Sequence, residues 1–164
     1  LDKYTPGDII SVTELKRDDF VKIEAETDLA QSLEINLSCP NVKSARWDRI
    51  SIFPNKYREW CIAKMAPTST IEEIAFVVNA GFKQLHFSNT LPTARGGLSG
   101  PTLIPYTTNL ITMCREEFPH TTIIAGGGVT KEAHIHHYMD AGADHISVGS
   151  AWFNPIKTYR LLSK

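Results

Sequence analysis

The sequence predicts an α/β protein built on a parallel sheet, and three observations support this fold class. Six short apolar runs recur along the chain, and most are too apolar for strands that bury only one face. Amphipathic helical patterns lie between most of these runs. The strand–helix–strand unit repeats about every 25 to 30 residues, as in right-handed crossovers between parallel strands.

The predicted elements follow in chain order. The strands are expected over residues 8–13, 33–37, 60–65, 83–88, 121–126 and 145–149. Helices are expected over 18–30, 69–81, 105–118 and 130–143, and a last helix over 155–164 opens with Pro155. The crossover between Asn41 and Trp60 contains Pro54 and has no long amphipathic repeat, so it should be irregular or hold only short helical pieces.

Helix ends are predicted from capping residues. Ser69 should open the second helix and Thr130 should cap the fourth, because short hydroxyl side chains accept hydrogen bonds from free N–H groups of the first turn. Gly81 and Gly142 stand where the C-terminal caps belong.

Composition limits the function classes. With 164 residues, 42% of them hydrophobic and 21% charged, the chain should form a single domain over residues 1–164. A net charge of -1 argues against a nucleic-acid partner. No apolar run is long enough to cross a membrane and no signal pattern opens the sequence, so a cytoplasmic location is expected.

Cysteine and histidine spacing argues against a metal or a disulfide framework. Cys39, Cys61 and Cys114 show no CxxC spacing. His134 and His137 are three residues apart on a predicted helix without a matching acidic or cysteine ligand, so a solvated helix face is favoured over a metal site.

The informative residues fall at the carboxyl ends of the predicted strands, where a parallel α/β fold gathers its ligand site. Gly126, Gly127 and Gly128 precede a helix, and Gly149 and Ser150 end the next strand. Backbone N–H groups at such tips bind phosphate, although a tight strand-to-helix turn explains the first tip equally well. From the residues alone, both a doubly wound sheet and part of a barrel remain open.

Three further segments each have a plain alternative. Lys64 lies in an apolar strand and needs an anionic or polar partner, unless it extends to solvent at the strand end. Ser88, Asn89 and Thr90 offer three hydrogen-bonding side chains or a simple turn cap. The loop 95–101 is glycine-rich and could lie near a ligand or merely be flexible. Cys39 reads either as a small core residue or as an acid/base group.

Six ordered motifs, "EINLSCPN", "AKMAP", "HFSNT", "GGLSG", "IIAGGGV" and "GADHISVGSA", resemble the dihydroorotate dehydrogenase family of FMN-containing barrels. The resemblance implies a partial TIM (β/α)8 barrel of about six βα units, because the family's first two units have no counterpart before Leu1. It also implies an oxidoreductase that converts dihydroorotate to orotate in pyrimidine biosynthesis.

The same resemblance implies roles for individual residues. The FMN phosphate would bind the two glycine-rich tips, Gly127, Gly128, Gly149 and Ser150. Lys64 would lie against the flavin ring and stabilise its anionic reduced form, with Ser88 and Gly100 also touching the flavin. The substrate would be held by Asn36, Asn41, Asn89 and Thr90. Cys39 would be the base that removes the substrate C5 proton, as in the soluble branch of the family.

Several alternatives remain open at this point. A related barrel that reduces dihydropyrimidines shares several motifs, so the substrate is dihydroorotate or a similar pyrimidine. The chain could be a fragment of an active enzyme, pair with a separate N-terminal segment or a second copy, or be a degenerate homologue that acts as a binding or scaffold subunit. "GGLSGP" leans towards NAD-linked, two-subunit members, but fumarate, NAD or another electron acceptor remains open.

Overall fold

A six-stranded parallel sheet forms the centre of the computed structural model, which describes residues 5, 7–16, 18–38, 47–94, 96–149, 153, 154, 156 and 159. Its strands are β1 (Ile10–Val12), β2 (Leu33–Asn36), β3 (Cys61–Met65), β4 (Gln84–Phe87), β7 (Thr122–Gly126) and β8 (His145–Ser147). A separate antiparallel hairpin joins β5 (Leu91–Thr93) to β6 (Gly96–Leu98). The helices are α1 (Asp19–Glu26), α2 (Ile71–Asn79), α3 (Ile104–Glu117) and α4 (Glu132–Asp140).

The order of the strands decides between the two predicted closures. The strands of this sheet are ordered β1-β2-β3-β4-β7-β8. Each strand is therefore paired with the next strand of the same sheet along the chain, and every pair is parallel. A doubly wound sheet would reverse its order at a switch point. The monotonic order is that of consecutive strands in a (β/α)8 barrel, which confirms the barrel-type prediction.

The two faces of the sheet differ in chemistry because side chains alternate along each strand. One face is apolar: buried Leu33, Ile35, Ala63 and Leu85 form a single core with residues of the helices. That helical side of the core is formed by Phe20, Ile74, Val77, Leu110, Ile111, Cys114 and Tyr138. The opposite face carries the polar side chains of the candidate site.

The sheet curves towards its polar face. Trp60, just before β3, and His145, in β8, are separated by three strand spacings, or roughly 14 Å in a flat sheet. Their rings nevertheless meet edge to face with centroids 5.4 Å apart. This contact places the polar face on the concave side, as in the interior of a barrel.

The predicted elements are largely confirmed. All six predicted strands form. Helices α1, α2 and α4 lie within their predicted ranges, and α3 begins one residue before its predicted start. In the part of the irregular crossover that the structure describes, residues Trp47–Ile52 form a short 3-10 helix. The β5–β6 hairpin was missed, because its strands contain Pro92, Gly96 and Gly97, residue types that are depleted in strands. Pro155, the expected start of the last helix, lies outside the described residues.

The helix ends follow capping chemistry with two corrections. Thr70, not Ser69, is the N-cap of α2, because Thr70 and Glu73 form a reciprocal capping box. Thr130 does not cap α4, since the N-cap position falls on Lys131 without a side-chain cap. Gly81 and Gly142 follow their helices with φ of 103° and 110°, as predicted. No helix among the described residues is long and apolar enough to cross a membrane.

Candidate functional site

The turn after β7 requires glycine at two successive positions. Gly127 and Gly128 have φ of 85° and 76°, in the left-handed region that favours glycine. A Cβ on Gly128 would also lie 2.7 Å from the Gly100 carbonyl oxygen and 2.9 Å from Pro101 Cα. The turn therefore packs directly against the loop that precedes α3, and Gly100 of that loop lies beside Gly128.

Side chains from two helices hold the carbonyl groups of this turn. Thr107 Oγ1 in α3 donates to the Gly126 oxygen at 3.1 Å. From α4, the Tyr138 hydroxyl donates to the Gly127 oxygen at 2.7 Å. His134 Nδ1 lies 3.0 Å from the Gly128 oxygen and 3.3 Å from the Thr130 backbone nitrogen; it donates to the first only when protonated and accepts from the second only when unprotonated. The Gly126 and Gly127 carbonyl groups thus accept hydrogen bonds from the helices behind the turn, and His134 contacts the third carbonyl.

The N–H groups of the turn consequently face the other way. In a trans peptide the N–H points opposite to the preceding carbonyl, so the N–H groups of Gly127, Gly128 and Val129 point away from the side chains that hold those carbonyls. Within the described part of the chain none of the three N–H groups has a hydrogen-bond acceptor. Successive free N–H groups of this kind form a concave anion site.

Two further predicted residues differ in how closely they are packed. Among the described residues, no atom lies within 4 Å of a Cβ placed on Gly149. Ser88 lies against the turn, since a Cβ on Gly126 would be 2.8 Å from Ser88 Oγ. The structure therefore brings Ser88 and Gly100 to the predicted phosphate tip, while Ser150 lies outside the described residues.

A buried carboxylate, Glu34, organises the concave face next to this site. Its Oε1 accepts from Ser11 Oγ at 2.8 Å and lies 3.4 Å from Lys64 Nζ, and its Oε2 lies 2.6 Å from His86 Nδ1. Burial alone would raise the pKa of Glu34, but the hydrogen bond and charge of His86, the charge of Lys64 and the hydrogen bond from Ser11 together lower it to about 2.

Glu34 answers the prediction that Lys64 needs an anionic partner. The sequence reasoning missed this residue, and the available signal was a glutamate inside an otherwise apolar run, the strand "LEIN". His86 was also missed, and its Nε2 is buried without a hydrogen-bond partner among the described residues.

The predicted substrate residues gather where β2 and β4 end. Asn36 Oδ1 accepts from the backbone N–H and the hydroxyl of Ser38, at 3.2 and 2.9 Å. Asn89 Nδ2 donates to the Ser38 carbonyl at 2.9 Å, and Asn89 Oδ1 accepts from the Thr90 N–H at 2.8 Å. Ser38 therefore links Asn36 to Asn89 across β3. Cys39 and Asn41 lie outside the described residues.

The other cysteines and histidines do not form a second reactive site. Burial raises the pKa of Cys61 to about 12 and that of Cys114 to about 11, so both stay protonated at neutral pH. No group of three metal-ligating side chains occurs in the described ranges. His137 is exposed as predicted, whereas His134 is half-buried against the glycine turn, which corrects its assignment to a solvated face.

A groove of about 490 Å³ lies at the opposite end of the sheet, near the starts of β3 and β4. Lys56, Arg58 and Lys83 line this groove. None of the predicted site residues is among its lining residues. In barrel enzymes the chemistry is at the carboxyl ends of the strands and the amino ends contribute to stability. The candidate site therefore remains at the carboxyl end.

Comparison with known proteins identifies related sequences and a related structure. A family model described as Dihydroorotate dehydrogenase matches residues 50–162, more than half of the 164-residue chain. The dihydroorotate dehydrogenase B (NAD(+)) catalytic subunit of Thermotoga petrophila is 32% identical over 147 residues, covering 74% of this chain and 53% of that protein. The subunit of the same name from Thermodesulfovibrio yellowstonii is 28% identical over 195 residues, covering 99% of this chain and 63% of that protein.

A solved structure gives the same fold. The crystal structure of DHODH from Eimeria tenella in complex with ferulenol aligns with a TM-score of 0.64 and 23% identity, over 79% of this chain and 47% of that chain. The present chain spans about half the length of the Thermotoga relative. Its sequence match, its strand order and its ordered motifs agree: the chain belongs to the dihydroorotate dehydrogenase family.

Proposed function

We propose that this chain forms a single FMN-binding barrel domain of an oxidoreductase that oxidises dihydroorotate to orotate in pyrimidine biosynthesis. The observation that carries the proposal is the turn after β7: α3 and α4 hold its Gly126 and Gly127 carbonyls from behind, and the N–H groups of Gly127, Gly128 and Val129 have no acceptor among the described residues. A phosphate monoester is the anion best matched to several convergent N–H donors. The family is flavin-dependent, which supports FMN as the source of that phosphate.

The cofactor would be held at two ends. Gly127, Gly128, Gly149 and Ser150 would bind the phosphate. Lys64, Ser88 and Gly100 would contact the flavin ring. FMN, when bound, supplies the acceptor for the two electrons removed from the substrate. The Lys64 ammonium favours the reduced cofactor, because it lies on the concave face and can balance negative charge there.

The substrate residues suit a planar pyrimidine with several carbonyl groups. Ser38 occupies Asn36 Oδ1, which leaves the Asn36 Nδ2 donors without an acceptor among the described residues. Those donors, with Asn41, Asn89 and Thr90, would bind the carboxylate and ring amides. Cys39 Sγ would accept the C5 proton, since a thiol with an ordinary pKa near 8.5 becomes a base once a polar pocket stabilises the thiolate.

The test is reduction of the bound cofactor by substrate. The chain is loaded with FMN without oxygen, and dihydroorotate or dihydrouracil is added while flavin absorbance is followed. Dihydroorotate is expected to bleach the flavin, and Cys39→Ser should slow bleaching at neutral pH while FMN stays bound. Cys114→Ser is the matched control, since this thiol is buried away from the site.

The outcomes distinguish the alternatives. Faster bleaching by dihydrouracil would assign the substrate to another dihydropyrimidine. A chain that binds FMN but is reduced by neither compound would favour a binding or scaffold subunit. An unchanged rate in Cys39→Ser would remove Cys39 as the base.

We also propose that the chain associates with a second copy, a separate N-terminal segment or another subunit, in the cytoplasm. β1 and β8 are the edges of the described sheet, and uncovered parallel edges invite pairing. The Thermotoga and Thermodesulfovibrio relatives are named as catalytic subunits, which supports a partner. Sedimentation should show a species heavier than 18.3 kDa, and a well-behaved monomer would count against association with a second copy.

A further inference from the structure

We propose that Glu34 is a positioning residue for Lys64, whose ammonium it holds on the concave face so that it sets how much positive charge reaches the cofactor site. The effect on the cofactor rests on the proposed FMN site. The positioning itself does not, because it follows from contacts within the chain.

Side chains from two other strands, β1 and β4, hold the Glu34 carboxylate in place. Ser11 in β1 donates to Oε1 at 2.8 Å, and His86 in β4 contacts Oε2 at 2.6 Å. Because β1 and β4 lie on opposite sides of the strand pair β2–β3, these contacts restrain the carboxylate at both oxygens. The oxygen bonded to Ser11 is the one that lies 3.4 Å from Lys64 Nζ.

Lys64 contacts this carboxylate from a strand position level with a predicted substrate residue. On the β2–β3 ladder it lies in register with Asn36, a predicted substrate residue. Its side chain extends back to Glu34, which precedes Asn36 by two residues on the same face of β2. The Lys64 ammonium forms an ion pair with Glu34, and it has no other partner among the described residues. Its N–H donors that point away from Glu34 are available to a ligand.

Both members of the pair are shielded from water. The side chains of Glu34 and Lys64 are 12% and 23% exposed, respectively, and a charge in such a place is stable only with a partner. Glu34 therefore balances the Lys64 charge before a cofactor binds. Removing the carboxylate would leave that charge free to act on the cofactor, which favours the reduced form with its extra negative charge.

The first arm of the test uses the chain without cofactor. With ¹⁵N-labelled lysine, an ion-paired ammonium gives an observable NH₃⁺ cross-peak at low temperature, and Lys64→Met identifies the peak from Lys64. The Lys64 peak should vanish or shift in Glu34→Gln, which keeps the side-chain shape but removes the charge. Glu24→Gln is the matched control, since Glu24 pairs with buried Arg58 at 2.7 Å on another part of the fold.

The second arm measures the midpoint potential of FMN added to the same variants. Glu34→Gln should bind reduced FMN about tenfold more tightly relative to oxidised FMN, a rise of about 30 mV for a two-electron couple. Glu24→Gln should leave the potential at its original value. Glu34→Asp, which is too short to reach both His86 and Lys64, supplies a second variant if Glu34→Gln does not fold.

The two arms separate the two claims. A Lys64 peak unchanged in both Glu34 variants would overturn the positioning role whether or not FMN binds. A lost peak with an unchanged potential would overturn the effect on the cofactor alone. Failure of the unmodified chain to bind FMN would refute the proposed function, while the first arm would still decide the positioning role.

Discussion

The buried carboxylate of Glu34 should make the fold sensitive to acid in a way that can be measured. Its pKa is lowered from 4.5 to about 2 in the folded chain. A group with a lowered pKa stabilises the fold fully above its unfolded pKa and loses that contribution as the pH falls towards the folded pKa. The shift corresponds to about 3 kcal/mol, of which about 2 kcal/mol should be lost by pH 3.

The assay is urea unfolding of the original chain and of Glu34→Gln at pH 7, 5, 4 and 3. Glutamine cannot ionise, so the variant lacks this contribution at every pH. The difference in unfolding free energy between the two proteins should shrink by about 2 kcal/mol between pH 7 and pH 3, because the titrating groups that do not contact Glu34 are common to both. Glu26→Gln, at an exposed carboxylate, controls for the loss of one surface charge.

A constant difference between the original chain and Glu34→Gln across this pH range would refute the reasoning. It would mean that Glu34 is not held ionised by His86, Lys64 and Ser11 in the folded protein. A difference that grew towards acid pH would show a raised pKa, with burial outweighing those three partners.

Two further predictions concern side chains near the site and in the core. Tyr138→Phe removes the donor to the Gly127 carbonyl, so FMN affinity should fall about three- to tenfold with riboflavin affinity unchanged; equal losses for both ligands in a fluorescence titration would contradict a role at the phosphate. Iodoacetamide should label Cys39 in the native chain and all three cysteines after denaturation, because Cys61 and Cys114 are buried with raised pKa values; peptide mass spectrometry showing native labelling of either buried cysteine would contradict this.

The strands and the glycine tips could be predicted from sequence because their signals are local. Each strand is a short apolar run, and three glycines before a helix predict the turn at Gly126–Gly128. The choice between barrel and doubly wound sheet was not local. The two folds differ in which strands pair, and the strand order of the sheet shows the pairing of a barrel.

The partners of the site residues were less accessible to sequence reasoning. Lys64 was identified as a charge that needs a partner, but Glu34 and His86 come from two other strands, separated from each other by 52 positions. The helix side chains that hold the glycine turn were missed for the same reason. In the sequence, nothing distinguishes His134 and Tyr138 from other helix residues. Their contacts with the turn become evident only in the structure.

The most direct test of the central claim compares the binding of FMN and riboflavin to the unmodified chain by titration. The two ligands share the flavin ring and differ only in the phosphate that the Gly127, Gly128 and Val129 N–H groups are proposed to bind. FMN should bind at least about a hundredfold more tightly than riboflavin, since charge-assisted hydrogen bonds to a phosphate are strong. Equal affinity for the two ligands, or no binding of FMN at all, would contradict the assignment of this turn as the cofactor phosphate site.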